Sequence, residues 1–201
     1  MTTLLLIRHG QTDWDLEGKY TGQVDVPLNE TGRTQAERAA ATVMRRPVDA
    51  IISSDLMRAL ETATIIAGCG ASVSEPHDNR PPVNVQTDPR LREINQGAWQ
   101  GMRLDEIKQQ FGPEFAAQEA NPLDVAAPGG ETVREARERV LAAIQEVCQE
   151  FPDGRIAIVA HGLSLAIVRM WLLQRPVEDI WSLVPCNAQV ISFQLLGSYS
   201  L

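Results

Sequence analysis

The chain has 201 residues, of which 44% are apolar, and its net charge is −8 with histidine neutral. This length supports one substantial hydrophobic core, so we expect a single domain over residues 1–201. The apolar content excludes a disordered chain, and the negative charge argues against nucleic acid or an anionic membrane as a partner. Any phosphate-binding site must therefore be a local feature of the fold.

The three cysteines are widely spaced and include no Cys-x-x-Cys pair. An odd number of isolated cysteines predicts neither a disulfide framework nor a zinc site, and it is typical of reduced thiols in the cytoplasm. The first apolar run, residues 4–7, is too short for a signal peptide or a membrane span. We therefore expect a cytoplasmic protein.

Residues 4–10 have the sequence Leu-Leu-Leu-Ile-Arg-His-Gly. The apolar run predicts a buried strand that delivers Arg8 and His9 into a turn at its carboxyl end. In open α/β sheets, ligands bind outside the carboxyl ends of the strands, so this pair is a candidate anion site. The loop that follows, residues 13–28, lacks clear periodicity and is long enough to have a function.

The next segments alternate between helical and strand patterns. An apolar stripe predicts a helix that begins near Asn29 or Thr31. A short strand is expected over residues 48–52, and the Ser-Ser-Asp sequence at residues 53–55 can cap a second helix over residues 56–67.

Arg58 falls in the first turn of that second helix, where a cation opposes the helix dipole at a cost of roughly 0.3 to 1 kcal/mol. We therefore expect Arg58 to serve an anion bound at the helix N-terminus. Residues 68–82 are rich in Gly, Pro, Ser and Asn and predict an exposed connection, in which His77 is expected to be solvated and inert. A third strand is expected over residues 83–85.

Residues 103–130 interrupt this alternation. They predict a helix over residues 107–111, a break at Pro113 and a Pro-Gly-Gly turn at the end of the segment. This composition indicates a small inserted lid.

The last part of the chain returns to the α/β pattern. Thr132 and Glu135 form a capping box for a helix. Residues 156–160 are an apolar run typical of a strand buried on both faces, and His161 follows it directly. A last strand is expected over residues 189–195. Strands that alternate with amphipathic helices predict an α/β fold, a three-layer α/β/α sandwich with a mostly parallel sheet and helices on both faces.

Four residues are predicted near the carboxyl ends of strands, namely Arg8, His9, Arg58 and His161. A phosphate monoester carries up to about two negative charges, and the fixed fork of donors on a guanidinium fits its oxygens. An ion pair at about 4 Å is worth roughly 4 kcal/mol at an effective dielectric near 20, so two arginines can hold a phosphoryl group without a metal ion. A neutral imidazole between them keeps a lone pair for in-line attack, which gives a phosphohistidine.

The leaving alkoxide needs a proton donor, and Glu93 is our candidate. A carboxyl group beside a bound phosphate dianion is expected to hold a proton before the attack. The same group can then act as a base when water opens the phosphohistidine.

Each of these residues also has a purely structural interpretation. A lone histidine at a strand end is often a satisfied buried residue, and Arg58 alone can be a surface cation. Glu93 can pair with Arg90 or Arg92 on the surface. The functional interpretation rests on the convergence of two histidines and two arginines.

An ordered set of motifs runs along almost the whole chain: Arg8-His9-Gly10, Ser54-Asp55-Leu56-Met57-Arg58, Leu91-Arg92-Glu93, Pro128-Gly129-Gly130-Glu131-Thr132 and His161-Gly162. Together they resemble the phosphoglycerate mutase-like branch of the histidine phosphatase superfamily. The resemblance implies that His9 is the phosphorylated nucleophile and Glu93 the proton donor. It implies no metal ion, a phosphate pocket made by Arg8, Arg58 and His161, and substrate contacts from Thr21, Gly22 and Gly162.

Within that family, two features favour a phosphatase over a mutase. The bisphosphoglycerate-dependent mutases are typically longer and carry an asparagine after the second His-Gly pair, where this chain has Leu163. The Pro-Gly-Gly-Glu-Thr pattern is similar to that of alpha-ribazole phosphatases and related broad-specificity phosphatases. We therefore predict a metal-independent, cofactor-free phosphatase that hydrolyses a small phosphate monoester through a phosphohistidine. The alternatives are a cofactor-dependent phosphoglycerate mutase and an inactive phospho-ligand binding protein.

Asp15 departs from the family pattern, because this position is usually an asparagine that binds phosphate. An ionised carboxylate there repels phosphate unless it pairs with an arginine. Either its side chain turns away, or phosphate affinity is reduced.

The expected partner is a small-molecule phosphate ester. Alpha-ribazole phosphate, phosphoserine, a phosphoglycerate and a sugar phosphate all stay open as substrates. The apolar last strand fits either the edge of a homodimer or a place under a helix, and its periodicity does not choose between them.

Overall fold

The computed structural model describes residues 1–73 and 83–195. In this part of the chain, five strands form one sheet: β1 (Thr2–Arg8), β2 (Ala50–Ser53), β3 (Val85–Thr87), β4 (Arg155–Ala160) and β5 (Val190–Leu195). Their order across the sheet is β3-β2-β4-β1-β5. All pairs are parallel except that of β1 with the edge strand β5, which is antiparallel.

The described residues also form helices on both faces of the sheet. In chain order these are α1 (Asp13–Glu17), α2 (Glu30–Val43), α3 (Met57–Val73), α4 (Leu104–Gln110), α5 (Gly112–Ala120), α6 (Val133–Glu150) and α7 (Gly162–Leu172). Short 3₁₀ helices cover Pro89–Leu91, Gly97–Trp99 and Val177–Leu183. Within residues 1–73 and 83–195, no helix combines the length and the apolarity that crossing a membrane requires.

The side chains of β1 alternate between two hydrophobic cores, one on each face of the sheet. Leu4 and Leu6 pack with apolar residues of α6 and α7, whereas Leu5 and Ile7 pack with those of α2 and α3. A strand presents successive side chains to opposite faces, so a sheet covered on both sides needs a continuous apolar run. The predicted three-layer sandwich with a mostly parallel sheet is confirmed.

Several element boundaries differ from the prediction. Helix α3 continues to Val73 past the expected end at residue 67, since a glycine such as Gly68 costs a helix interior only about 1 kcal/mol relative to alanine. Strand β3 begins two residues later than expected. The remainder of the predicted connection, residues 74–82 with His77, lies outside the described residues.

Two segments contain helices that the prediction did not include. The loop over residues 13–28 begins with the short helix α1, which Thr12 and Asp15 start as a capping box. Pro113 lies in the first turn of α5 instead of only ending the preceding helix. A proline is tolerated there because its missing N–H would have no partner within the helix.

Residues 103–130 contribute to a small, separate hydrophobic cluster. Trp99, Ile107, Phe115 and Ala127 are buried together in it, with Tyr20 packed against them. That this segment acts as a lid stays a prediction.

The register between β1 and β4 decides where the candidate site lies. Arg8 is paired with Ala160 in the parallel ladder, so His9 and His161 leave neighbouring strands at the same level. The His9 N–H continues the ladder by donating to the Ala160 carbonyl oxygen at 3.0 Å. The two histidines found in the sequence are therefore brought to one edge of the sheet.

The turn after β1 packs directly against the first turn of α2. Asn29 caps this helix by accepting a hydrogen bond from Gly32 N at 2.8 Å, and Thr31 lies inside the helix. A Cβ atom on Gly32 would lie 2.1 Å from the Gln11 carbonyl oxygen, and one on Gly10 would lie 2.3 Å from the Gly32 carbonyl oxygen. Two backbones meet here, so neither glycine position has room for a side chain.

We expect Gly32→Ala to lower the free energy of unfolding by about 1 to 3 kcal/mol, because backbone atoms must move to admit the methyl group. The matched control is Gly68→Ala in α3, where an added Cβ meets no neighbouring atom within 4 Å. There we expect a gain of about 0.5 to 1 kcal/mol from higher helix propensity. Urea denaturation measures the change in the free energy of unfolding for both variants. A neutral or stabilising effect of Gly32→Ala would contradict the close packing of the two backbones.

Candidate active site

His9 is buried directly after β1, and one of its ring nitrogens carries no proton. Its Nδ1 lies 2.7 Å from the Gly10 carbonyl oxygen, so Nδ1 carries the hydrogen and Nε2 keeps its lone pair. Arg58 Nε donates to that Nε2 at 3.3 Å. Burial, together with the positive charges of Arg58 and Arg8, lowers the pKa of His9 from 6.5 to about 3. His9 is therefore neutral near neutral pH.

Arg58 reaches this histidine from the second residue of α3. Its side chain is only 1% exposed, and its Nη1 and Nη2 donate to the carbonyl oxygens of Val24 and Gly22 at 2.9 and 2.8 Å. Burial lowers the pKa of Arg58. The expected anion position at the N-terminus of α3 is taken by Asp25, whose Oδ1 accepts a hydrogen bond from Met57 N at 2.6 Å. Arg58 is therefore not a surface cation, and it serves the neighbouring histidine rather than its own helix end.

His161 lies beside His9, with the two ring centroids 5.2 Å apart. Its side chain is fully buried, and its Nε2 lies 2.8 Å from Ser54 Oγ. Its Nδ1 has no hydrogen-bond partner in the described part of the chain. Burial and the positive charge of Arg58 hold the pKa of His161 well below 6.5. Both histidines of the site are therefore uncharged near neutral pH.

Arg8 and Asp15 form an ion pair at this edge of the sheet. Arg8 Nη2 donates to Asp15 Oδ1 at 3.0 Å, and Nη1 donates to the Pro185 carbonyl oxygen at 3.0 Å. Asp15 Oδ2 accepts hydrogen bonds from Thr12 N and Oγ1, both at 2.8 Å. Burial would raise the pKa of Asp15, but the interactions with His9, Arg8 and Thr12 lower it overall. Asp15 thus does not turn away from the site. It pairs with Arg8, which was expected to bind phosphate.

The Glu93 carboxyl group points to the start of α7. Its Oε2 accepts a hydrogen bond from Leu163 N at 3.0 Å, and its Oε1 accepts one from Ser164 N at 3.2 Å and one from the following residue at 2.9 Å. A Cβ atom added to Gly162 would lie 3.6 Å from Glu93 Oε2 and 3.7 Å from Arg8 Cζ. The carboxyl group and the Arg8 guanidinium therefore flank Gly162 together.

The two arginines beside Glu93 in the sequence bind other carboxylates. Arg92 donates to Asp55 through Nε at 2.7 Å and through Nη2 at 2.6 Å. Arg90 pairs with Asp88 at 2.7 Å. The alternative in which Glu93 pairs with these arginines on the surface is therefore wrong.

Thr21 and Gly22 lie in the loop between α1 and α2. Gly22 has a φ of +53°, which glycine adopts without strain, and this conformation turns its carbonyl to Arg58. The Thr21 carbonyl oxygen accepts a hydrogen bond from Val24 N at 3.2 Å. Gly22 therefore touches the site directly, through its carbonyl oxygen.

Several residues that hold the site were not predicted. Thr62 Oγ1 accepts a hydrogen bond from the turn after β1 at 3.0 Å and donates one to the Arg58 carbonyl oxygen at 2.7 Å. Asn187 Nδ2 donates to the His9 carbonyl oxygen at 3.2 Å. Ser54 was expected only as a helix cap, although its place directly after β2 matches that of His9 after β1. Nothing in the local sequence marks Thr62 or Asn187.

The arrangement offers donors for an anion around one nucleophilic nitrogen. Two arginines and two uncharged histidines converge, and Glu93 lies beside them. Within residues 1–73 and 83–195, no group of three or more His, Cys, Asp and Glu side chains is arranged to hold a metal ion. The site can bind a small anion and present a neutral imidazole to it.

Sequence comparison places the chain among known proteins. A family model described as histidine phosphatase superfamily (branch 1) matches residues 4–198. The chain is 36% identical over 162 residues to phosphoglycerate mutase-like protein 4 of Arabidopsis thaliana, with 79% of this chain and 66% of that protein covered. It is 34% identical over 199 residues to the probable phosphoglycerate mutase GpmB of Escherichia coli, with 96% and 86% covered.

Solved structures agree with this placement. A mycobacterial glucosyl-3-phosphoglycerate phosphatase in complex with VO3 is 31% identical and superposes with a TM-score of 0.80, covering 94% of this chain and 90% of that one. The alpha-ribazole phosphatase from Shigella flexneri has a TM-score of 0.84 over 98% and 92% of the two chains, and at 23% identity it shows a common fold. Since the family model spans nearly the whole chain, this protein belongs to branch 1 of the histidine phosphatase superfamily.

Proposed function

We propose that this chain hydrolyses a small phosphate monoester through a phosphohistidine at His9, without a metal ion. The observation that carries the proposal is the buried, neutral His9 ring, whose Nδ1 is bound to the Gly10 carbonyl and whose Nε2 lone pair faces Arg58. A neutral imidazole of fixed orientation is a competent nucleophile for in-line attack. Membership of the superfamily supports phosphatase or mutase chemistry.

Two buried polar atoms of the site lack partners in the described residues, namely Arg8 Nε and His161 Nδ1. Buried groups of this kind cost free energy unless a ligand satisfies them. If Ser54 Oγ donates to His161 Nε2, the Nδ1–H of that ring is left for a phosphate oxygen. We assign both atoms, with the Arg58 guanidinium, to the oxygens of a phosphoryl group, whose charge the two guanidinium groups balance.

The reaction has two steps. In the first, His9 Nε2 forms a bond to phosphorus with its lone pair, the bond between phosphorus and the ester oxygen breaks, and Glu93 gives that oxygen a proton. In the second, Glu93 takes a proton from water, the water oxygen bonds to phosphorus, and the bond between nitrogen and phosphorus breaks. Glu93 ends the cycle protonated, so ester and water have become alcohol and phosphate. Because Arg8 is assigned to the phosphoryl oxygens, the position of the Glu93 carboxyl group beside Arg8 supports a location near the ester oxygen.

The second candidate function is that of a phosphoglycerate mutase, which the names of both relatives favour. A mutase passes the phosphoryl group to a second hydroxyl group instead of to water. We favour the phosphatase because a relative 31% identical over 94% of this chain is a glucosyl-3-phosphoglycerate phosphatase, and because Leu163 stands where the mutases of the family have asparagine. The intact site argues against an inactive binding protein.

The cytoplasmic location and a homodimer stay predictions.

We expect phosphate release from a small monoester with a chelator present, and we expect His9→Ala to lower its rate by roughly a thousandfold or more, because the nucleophile is lost. The panel contains alpha-ribazole phosphate, phosphoserine, a sugar phosphate, and 3-phosphoglycerate with bisphosphoglycerate. Rapid quenching should trap an acid-labile phosphoryl group on the native chain and not on His9→Ala.

The same panel separates the rival functions. Isomerised phosphoglycerate with little free phosphate would identify a mutase. No turnover of any ester, with phosphate still bound, would identify a binding protein. Release that persists in His9→Ala would exclude the phosphohistidine.

The low pKa of His9 predicts that its ring takes up no proton near neutral pH. We expect the imidazole ¹⁵N shifts of His9 and His161 to stay those of neutral rings from about pH 8 to about pH 5, whereas an ordinary histidine titrates near pH 6.5. His9→Asn and His161→Asn assign the signals. A ring at either position that becomes charged near pH 6.5 would contradict the burial argument.

The lowered pKa of His9 also makes the stability of the fold depend on pH. The unfolded chain protonates His9 below about pH 6.5, whereas the folded chain does so only at about 3. Between about pH 6.5 and about pH 3, the unfolded state therefore binds more protons than the folded state. As the pH falls through this range, the contribution of His9 lowers the free energy of unfolding. His9→Asn should make this decline shallower in urea denaturation.

Asp15 holds one donor of Arg8 and adds a negative charge beside the proposed phosphate pocket. We expect Asp15→Asn to lower the KM for a phosphate monoester roughly 3- to 10-fold, because the negative charge that repels phosphate is removed and the interaction with Arg8 becomes weaker. The matched control is Asp13→Asn at an exposed position of the same helix, which should leave KM unchanged. An unchanged or higher KM for Asp15→Asn would contradict the hypothesis that Asp15 weakens phosphate binding.

A further inference from the structure

One arginine outside the site binds the segment that carries Glu93. Arg139 lies on α6, and its side chain is 20% exposed. Its Nη1 donates to the carbonyl oxygens of Arg90 and Arg92, both at 2.7 Å, and its Nη2 donates to the Glu93 carbonyl oxygen at 3.1 Å. The guanidinium group thus binds three carbonyl groups of one short segment.

The remaining donors of Arg139 bind Glu131. Its Nε donates to Glu131 Oε1 at 2.6 Å, and its Nη2 donates to Glu131 Oε2 at 2.7 Å. A guanidinium group has five N–H bonds, and these contacts use all of them. The pair is well shielded, because the Glu131 side chain is only 16% exposed.

Glu131 extends the same support to the residues after Glu93. Its Oε2 accepts a hydrogen bond from Asn95 N at 3.2 Å, and its own N–H donates to the Asn95 carbonyl oxygen at 2.9 Å. The two backbones are in close contact here, since a Cβ atom on Gly130 would lie 2.6 Å from the Asn95 carbonyl oxygen. Gln23 Nε2 adds a further hydrogen bond to the Glu93 carbonyl oxygen at 2.9 Å. The backbone of residues 90–95 is thus tied to α6 and to the turn before it.

A second arginine of α6 shows that pairing with a carboxylate does not require this arrangement. Arg134 pairs with Asp124 through Nε at 2.6 Å, and the two side chains are 57% and 47% exposed. Exposed pairs of this kind contribute little to stability. Arg139 differs because three of its five N–H groups bind the backbone that carries the proposed proton donor.

We propose that Arg139 and Glu131 are positioning residues for Glu93, which act by holding its backbone so that its carboxyl group reaches the leaving oxygen. This inference rests on the proposed function, in which Glu93 gives the ester oxygen a proton. The hydrogen bonds described above for Arg139 and Glu131 run to each other and to the backbone of residues 90–95, and none of them joins His9, Arg8 or Arg58, so neither is called a catalytic residue. A displacement of about 1 Å at a reacting group can cost on the order of 100-fold in rate, and the lost contacts would permit such a displacement.

The test compares two substrates in the full chain. An alkyl phosphate needs a proton on its leaving oxygen, whereas 4-nitrophenolate leaves without one, and kcat/KM reports the steps up to phosphoryl transfer to His9. We expect Arg139→Met to lower kcat/KM for the alkyl ester about 10- to 100-fold and that for 4-nitrophenyl phosphate by less than about 3-fold. Arg139→Lys, which keeps the charge and part of the hydrogen bonding, should restore some of the alkyl activity. Arg134→Met is the matched control and should change neither value.

Three results would overturn the proposal. Equal losses on both substrates in Arg139→Met and Arg139→Lys would indicate general damage to the fold. No loss on either substrate would show that the contacts of Arg139 do not matter for catalysis. If Glu93→Gln itself shows no preference for the activated ester, the proton-donor role fails and this inference with it. A native chain without any phosphoryl transfer to His9 would instead identify the failure of the proposed function.

Discussion

The parallel pairing of β1 with β4 is the constraint on which the candidate site depends. Arg8 stands opposite Ala160, so the first residues past the ladder, His9 and His161, are neighbours with ring centroids 5.2 Å apart. A slip of one residue would turn every side chain of β1 to the opposite face and would move the two rings out of level. The hydrophobic cores on both faces oppose such a slip, so the contacts that stabilise the fold also fix the spacing of the histidines.

Two guanidinium groups converge at this edge of the sheet, although the whole chain carries a net charge of −8. Arg58 donates hydrogen bonds to two carbonyl oxygens and to a neutral imidazole, and its charge interacts with those of Glu93, Asp15 and Asp25. Burial of such a cation is costly, as its lowered pKa shows, and a bound anion offsets that cost. Arg8 differs because Asp15 takes one of its donors. Arg8 nevertheless keeps its Nε without a partner in the described residues, whereas Arg58 donates through all three of its nitrogens.

Sequence reasoning succeeded where a pattern reports burial directly. The apolar run before Arg8 predicted a buried strand, and the rule for strand ends brought His9 and His161 together. It failed where a local signal competes with tertiary packing, as at Gly68, which lies inside α3 instead of ending it. The placement of Glu93 came from the chemistry and the family resemblance. Nothing in Leu91-Arg92-Glu93 shows that the arginine turns to an aspartate while the glutamate turns to α7.

The residues that hold Glu93 illustrate what a single sequence leaves hidden. Arg134 and Arg139 belong to one helix, and each has a carboxylate partner, so composition and periodicity do not separate them. They differ in where their remaining N–H groups go, and those of Arg139 go to backbone carbonyl groups. Every residue has a carbonyl group, so no residue type marks such an acceptor. The role of a charged helix residue near an active site therefore follows from the backbone it binds, which only the tertiary structure shows.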